Sequence, residues 1–181
     1  MSIKRIYNEF SQGFEDEYYI KLAQDDVMAV PALIDIMLDD DFFNARWAQN
    51  ILEQISENFP ETVYPFYKYV ADALNNENKF LAWNVWKIIV NLTAVDDGAM
   101  WNMVSDKFYA SLNSEFITEF SIACDCAERI IVNKSDESEK ILNVLKNINN
   151  RIFKIGGEIS ESSLAVAKEK VDQLLEKIIA L

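Results

Sequence analysis

The carboxylates near the C-terminus have the spacing that comes closest to a catalytic motif. Glu158-x-x-Glu161 and Glu169-x-x-Asp172 resemble paired Mg²⁺-binding motifs, which must face each other from two helices to hold the ion. Only seven residues separate the two motifs, and a single helix beginning at Ser160 would carry most of both. They therefore cannot face each other, and the pattern favours a solvent-exposed face of a terminal helix rich in Lys and Glu.

The composition excludes most other site chemistry. The chain has 181 residues and no histidine, which removes Ser-His and Cys-His nucleophile pairs and the usual zinc ligand sets. Its four glycines form neither a phosphate-binding loop nor a dinucleotide fingerprint. Cys124 and Cys126 lie in a helical pattern, where two small packed residues are the simpler interpretation. We therefore predict a protein that is not an enzyme and that has no metal site and no cofactor.

The charge distribution bears on the kind of partner. The net charge is −13, and residues 1–60 alone carry 12 acidic and 4 basic side chains. Such a balance opposes binding to nucleic acid or to an anionic membrane. The clusters at 15–17, 25–26 and 39–41 lack the ligand spacing of a calcium loop, so helix caps and exposed turns explain them. Together they also suit an acidic rim for a basic protein partner.

Helices are the elements that must position any site. Half of the residues are hydrophobic, and only four glycines and three prolines are present, which favours long helices with short connections. The start of the chain lacks the apolar run of a signal peptide, and Cys124 and Cys126 point to different faces. We expect a cytoplasmic, all-α protein that forms one domain over residues 1–181, with essentially no sheet.

Two segments carry the same sequence marks. Pro31 and Pro65 lie 34 residues apart, and the Phe-x-Ala marks that begin at Phe43 and Phe80 lie 37 residues apart. Repetition at this period is typical of an α-solenoid made of helix pairs. The predicted segments are a helical lead-in over 1–24 and helix pairs over 25–58, 60–94, 98–133 and 136–181. The second helices of the two clear pairs have these predicted core stripes: Phe43, Trp47, Ile51, Leu52 and Ile55, then Leu81, Val85, Ile88, Ile89 and Leu92.

This pattern resembles the HEAT-repeat family. The match covers residues 25–94 and consists of an early proline in a first helix, a short acidic or Asn-rich turn, and a second helix with an aliphatic stripe. The chain departs from the family by lacking its Asp and Arg pair, because Trp83 stands where a second unit would repeat Arg46. The resemblance implies a short right-handed superhelix of about four antiparallel helix pairs, usually a scaffold for protein partners. A plain helical bundle is the structural alternative.

The helix over residues 79–92 suggests a binding site. It is apolar nearly all round, with Trp83 and Trp86 off the core stripe. Either it is fully buried as a middle repeat, or the two indoles line the groove as interface anchors. Alignment by 37 residues pairs positions on the two second helices that lie off the core stripes. The candidate binding residues are Arg46, Gln49, Asn50, Trp83, Trp86 and Lys87.

The sequence thus predicts a non-enzymatic, cytoplasmic scaffold or a regulatory or immunity-type protein that binds another protein through a concave helical groove. The alternative is a HEAT-like DNA glycosylase, which such a fold and a pair of groove tryptophans also permit. The acidic balance and the sparse Lys and Arg on the candidate face oppose this alternative.

Overall fold

The computed structural model describes residues 3–10, 12–13 and 15–179. The predicted segments also include residues 1, 2, 11, 14, 180 and 181, which lie outside the described ranges. About 77% of the structure is helical, which confirms the all-α prediction. Contacts group the chain into two compact units, with the boundary between Met100 and Trp101. The sequence pattern predicts a single domain over residues 1–181 instead. Within the described ranges, no helix has the length and apolarity needed to cross a membrane.

Within the described residues, the regular elements of the first unit are all helical. They are α1 (Ile3–Phe10), α2 (Asp16–Asp25), α3 (Ala29–Met37), α4 (Phe42–Asn58), α5 (Pro60–Val63), α6 (Tyr67–Asp72) and α7 (Lys79–Leu92), with 3-10 turns at Tyr64–Phe66 and Ala73–Asn75. Pro60 opens α5, where its missing N–H costs no helical hydrogen bond. Pro65 lies in the first 3-10 turn. Because proline has no N–H to donate to the preceding turn, the first helix of this pair is divided into α5 and α6.

The helices α4 and α7 begin in the same way. The Asp41 side chain accepts hydrogen bonds from the backbone N–H groups of Phe43 (3.1 Å) and Asn44 (3.2 Å). The Asn78 side chain accepts from the N–H groups of Phe80 (3.1 Å) and Leu81 (3.3 Å). The two caps lie 37 residues apart, which is the spacing of the Phe-x-Ala marks. Each cap satisfies two N–H groups that have no partner within the helix.

A seam of polar side chains joins α4 to α7. Gln49 Nε2 donates to the Leu81 carbonyl oxygen at 3.4 Å, Lys87 Nζ lies 3.7 Å from Glu53 Oε2, and Asn91 Nδ2 donates to Ser56 Oγ at 2.9 Å. The partners advance along both helices together, so α4 and α7 run in the same direction. The predicted stripe of α7 is buried from Leu81 to Leu92.

The predicted stripe of α4 is wrong at its first residue. Phe43 is 83% exposed, whereas Ala45 and Ala48 are buried. Successive helical residues are separated by about 100°, so Phe43 lies roughly 200° around the helix from Ala45 and points away from that core face. Trp47 is half-buried on the other side of α4, where its ring packs 4.6 Å from that of Phe10 and its Nε1 donates to Asp16 Oδ1 at 2.5 Å.

Tyrosine–carboxylate hydrogen bonds connect segments of the first unit that are distant in the sequence. Tyr69 Oη donates to Asp35, which joins α6 to α3, and Tyr64 Oη donates to Asp96 Oδ1 at 2.8 Å. The hydrogen bond to Asp35 and burial raise the pKa of Tyr69 to about 12. Burial, followed by the hydrogen bond to Asp96, raises the pKa of Tyr64 to about 12. Both phenols therefore remain protonated donors well above neutral pH.

The second unit adds a small hairpin to its helices. Its elements are α8 (Trp101–Leu112), α9 (Ile117–Asn133), α10 (Ser138–Leu145), β1 (Lys154–Ile155), β2 (Glu158–Ile159) and α11 (Glu161–Ile179), with 3-10 turns at Ser135–Glu137 and Ile148–Asn150. The strands are antiparallel, and Lys154 pairs with Ile159. The first helix of the predicted pair over 136–181 therefore ends early, at Leu145. Gly156 and Gly157 have φ values of 57° and 90°, a conformation that favours a tight hairpin turn.

Arg151 holds this hairpin against the α8–α9 turn. Its guanidinium donates to the carbonyl oxygens of Leu112 (2.9 Å) and Ser114 (2.6 Å). The same group lies over the rings of Phe120 (4.7 Å) and Phe153 (4.8 Å). Two exposed ion pairs, Lys170 with Asp125 and Lys177 with Glu128, also join α11 to α9.

Candidate functional site

The structure separates the six predicted site residues into accessible and buried groups. Arg46 and Asn50 are exposed on α4, and Trp83 and Lys87 are half-buried on α7. The Arg46 guanidinium lies over the Phe80 ring at 5.3 Å, while Lys87 pairs with Glu53. These four residues remain available for contact with a partner.

Trp86 and Gln49 lie inside the unit. Trp86 is 2% exposed, which fits the interpretation of α7 as a buried helix for this indole and removes it from any accessible anchor pair. Val85, Ile88 and Val90, which lie at other positions around α7, are buried as well. The helix is therefore enclosed around most of its circumference at Trp86. Gln49 is 5% exposed and bonded to the Leu81 carbonyl.

Three exposed phenylalanines occupy the starts of α4 and α7. Phe42, Phe43 and Phe80 are 53%, 83% and 39% exposed, and we refer to them as the aromatic rim. The rings of Phe42 and Phe43 meet edge to face with their centroids 5.8 Å apart. Sequence reasoning missed this surface, although the signal was present. Each of these residues follows a capping Asp41 or Asn78 by one or two positions, before the buried face of its helix begins.

A cleft lies between the two helix starts. Its walls come from residues 38–40 and 42 of the first turn, from Ala45, Arg46 and Gln49 of α4, and from Asn76, Asn78, Phe80 and Leu81 around the second turn. It has a cavity volume of about 120 Å³ and is partly open to solvent. Apolar, aromatic and charged groups thus meet in one concave surface, a combination that suits binding.

The turn beside the cleft is strongly acidic. Asp39, Asp40 and Asp41 are all exposed, and Asp39 and Asp41 also line a depression on the other side of the turn, next to Tyr7. Burial raises the pKa of Tyr7, and the carboxylates of Asp35 and Asp39 raise it further. The negative potential therefore acts on a neighbouring side chain as well as on solvent.

Potential metal ligands and the Cys124 thiol show no catalytic arrangement among the described residues. Across residues 3–10, 12–13 and 15–179, no group of three or more His, Cys, Asp or Glu side chains is placed to hold a metal ion. Cys124 is buried, and burial raises its pKa to about 12. A thiol of that pKa stays protonated at neutral pH and is a poor nucleophile.

The aromatic rim and the acidic turn are thus the surface features that bear on function. Exposed aromatic groups next to charges suit binding to another macromolecule. Comparison with protein-family models, with curated proteins and with solved structures gives no match to this chain.

Proposed function

We propose that this chain is a non-catalytic protein-binding module and that the aromatic rim of its first unit is the contact surface. The observation that carries the proposal is the exposure of Phe42, Phe43 and Phe80 together at neighbouring helix starts. Large exposed apolar side chains that gather in one place are typical of interaction surfaces. Aromatic groups are also enriched at the centres of protein interfaces.

Polar residues beside the aromatic rim would orient the partner. Arg46 is held over Phe80, and Asn50 lies one turn further along α4. Trp83 and Lys87 lie on α7, one turn apart. These four side chains supply donors and a further aromatic surface next to the rim, so they complete the proposed interface.

The charge of the surface favours a basic protein as the partner. The three aspartates of the first turn stand next to the aromatic rim, and residues 1–60 hold 12 acidic against 4 basic side chains. Opposite charges accelerate encounter and select among partners. The same charge opposes phosphate backbones, so no feature of this surface favours the DNA glycosylase alternative.

We also propose that the first unit is a pair of HEAT-like repeats, α3 with α4 and α6 with α7. The matching caps at Asp41 and Asn78 and the parallel course of α4 and α7 support this assignment. The Asp35–Tyr69 hydrogen bond adds support, because it joins the two first helices across 34 residues. A right-handed superhelix of four pairs and a cytoplasmic location remain predictions.

Site-specific photo-crosslinking tests the proposal. A benzophenone amino acid is placed at Phe43 in one variant and at Met103 of the second unit, which is 57% exposed, in a control variant. Irradiation in the native cell should give a discrete protein adduct from position 43 that is absent from position 103. Mass spectrometry identifies the captured protein, whose sequence then gives its isoelectric point.

A serine triple variant supplies the second arm. Phe42→Ser, Phe43→Ser and Phe80→Ser together should abolish binding of the captured protein while the far-ultraviolet circular dichroism spectrum is unchanged. Matched exposed residues of the second unit, Met103 and Val132, serve as the control when both are changed to serine. Equal adducts from both crosslinking sites, or full binding by the folded triple variant, would show that the aromatic rim is not the interface.

A further inference from the structure

We infer that the cleft between the two helix starts receives one arginine or lysine side chain of the partner. This inference rests on the proposed function, because it names the group that the partner inserts. It follows from three features of the cleft: an amide oxygen that is able to accept a hydrogen bond, an available carboxylate and apolar walls.

The acceptor is the side-chain oxygen of Gln49. Gln49 lines the cleft and is 5% exposed, and its Nε2 donates to the Leu81 carbonyl oxygen at 3.4 Å. A carbonyl only accepts, so the NH₂ group must face Leu81 and Oε1 is the atom that remains. Among the described residues, no group donates a hydrogen bond to this Oε1. The oxygen is not sealed off from solvent, so a donor that enters the cleft is able to reach it.

The available carboxylate is that of Asp40. Its neighbours are engaged within the turn, since Asp41 caps α4 and Asp39 Oδ1 accepts from the Asp41 N–H at 3.3 Å. Asp40 is exposed and lines the cleft, and within the described ranges it has no hydrogen bond or ion pair. A guanidinium presents several N–H donors in one plane and therefore suits a carboxylate together with a nearby amide oxygen.

The walls of the cleft fit the stem of a long basic side chain. Leu38, Ala45 and Leu81 are apolar, and Phe42 adds an aromatic face. Lysine and arginine pack their methylene groups against such surfaces while the charged end remains polar. Arg46 occupies the Phe80 side of the cleft. Its positive charge directs the incoming cation to the Asp40 side and favours a carbonyl or acidic group of the partner next to itself.

A titration with a minimal probe tests the inference. The ¹⁵N-labelled 181-residue protein is titrated separately with N-acetyl-arginine amide and with N-acetyl-citrulline amide, and both titrations are followed by heteronuclear NMR. The citrulline probe has nearly the same shape as the arginine probe but no charge. The arginine probe should give saturable shifts of the Gln49 side-chain NH₂ and of the backbone amides of Asp40 and Asn78. The citrulline probe should bind more weakly by about two- to fivefold, the range expected for an exposed ion pair.

A charge-neutralising variant completes the test. Asp40→Asn should weaken binding of the arginine probe by about two- to fivefold, whereas Asp72→Asn, an exposed carboxylate of the same unit, should leave it unchanged. Equal shifts with both probes, no saturable shift at the cleft, or undiminished binding by Asp40→Asn would overturn the inference.

The two proposals fail in different experiments. If the arginine probe leaves the cleft unperturbed but the Phe43 crosslink still captures a protein, the cleft inference is wrong and the aromatic rim remains an interface. If the probe binds as expected but the serine triple variant keeps its protein partner, the proposed contact surface is wrong, and the cleft binds a basic side chain that does not come from this partner.

Discussion

Replacement of Arg151 by alanine should destabilise the second unit more than any exposed change in it. The Arg151 guanidinium makes two hydrogen bonds to main-chain carbonyls at the end of α8 and contacts two phenylalanine rings. Leu112, Ser114 and Phe120 lie far from Arg151 in the sequence. Phe153 directly precedes strand β1 of the hairpin. Removing the side chain therefore releases the hairpin and leaves both carbonyl oxygens without their donor.

The size of the effect follows from these contacts. A hydrogen bond from a charged group contributes about 1.5–3 kcal/mol. A cation–π contact contributes about 0.5–2 kcal/mol. Burial lowers the pKa of Arg151, so desolvation of the guanidinium offsets part of this gain, and solvent replaces part of each contact because the residue is half-buried. We expect Arg151→Ala to lower the free energy of unfolding by about 2–3 kcal/mol and Arg151→Lys by about half as much, because an ammonium lacks the planar fork.

Urea denaturation followed by NMR measures this difference for each unit separately. Hydrogen exchange of the Lys154 amide, which donates to the Glu115 carbonyl at 2.7 Å, reports on the hairpin and should accelerate in Arg151→Ala. Lys146→Ala is the control, since Lys146 is exposed and should change the free energy of unfolding by less than about 0.5 kcal/mol. If Arg151→Ala matches this control in both measurements, Arg151 does not hold the hairpin.

Three further predictions concern the first unit. Trp47→Ala should cost about 3–4 kcal/mol in thermal or urea unfolding, because it removes an aromatic cluster contact and leaves Asp16 without its indole donor; a cost below about 1 kcal/mol would contradict this packing. Stability should fall as the pH rises between about 10 and 12, because Tyr64 and Tyr69 have folded-state pKa values of about 12 against 10 in the unfolded chain. A double Tyr→Phe variant should lose this part of the pH dependence, and an unchanged profile would refute the assignment. Asn78→Ala should cost about 1 kcal/mol, whereas Asn78→Asp should be nearly neutral; equal costs would show that the cap does not depend on a side-chain acceptor.

The repeating parts of the fold were predictable because they depend on helical periodicity. The stripe from Leu81 to Leu92 has a regular spacing of three and four residues, so its burial follows from the sequence. The second predicted pair begins at residue 60, and α5 begins at Pro60, where the missing N–H costs no helical hydrogen bond. Periodicity failed at Phe43, because two faces of α4 carry apolar residues and spacing alone does not say which face reaches a neighbour.

The site was harder to predict, for related physical reasons. Both faces of α7 are apolar, so the sequence left Trp86 undecided between core and groove, and only the packing of neighbouring helices places it inside. The aromatic rim lies in first turns, where capping signals at Asp41 and Asn78 identify a helix start but not its exposure. The hairpin was missed because Gly156 and Gly157 equally suit a helix end, and a strand of two residues has no period to detect.

The polar seam between α4 and α7 has a consequence for recognition. Ser56 is fully buried and Asn91 is 6% exposed, and they bond to each other. A slide of α7 by one helical turn, about 5.4 Å, would break this bond and the Gln49 contact and leave buried polar groups without partners. A seam of aliphatic side chains would impose no such penalty.

The polar seam therefore fixes the positions of the two helix starts relative to each other before a partner binds. The cleft between Phe42 and Phe80 is already present in the structure, so it does not have to form during binding. A preorganised surface loses little conformational entropy on association, so more of the contact free energy appears as affinity. A partner that binds here contacts a preformed surface, so any conformational change on binding has to occur in the partner.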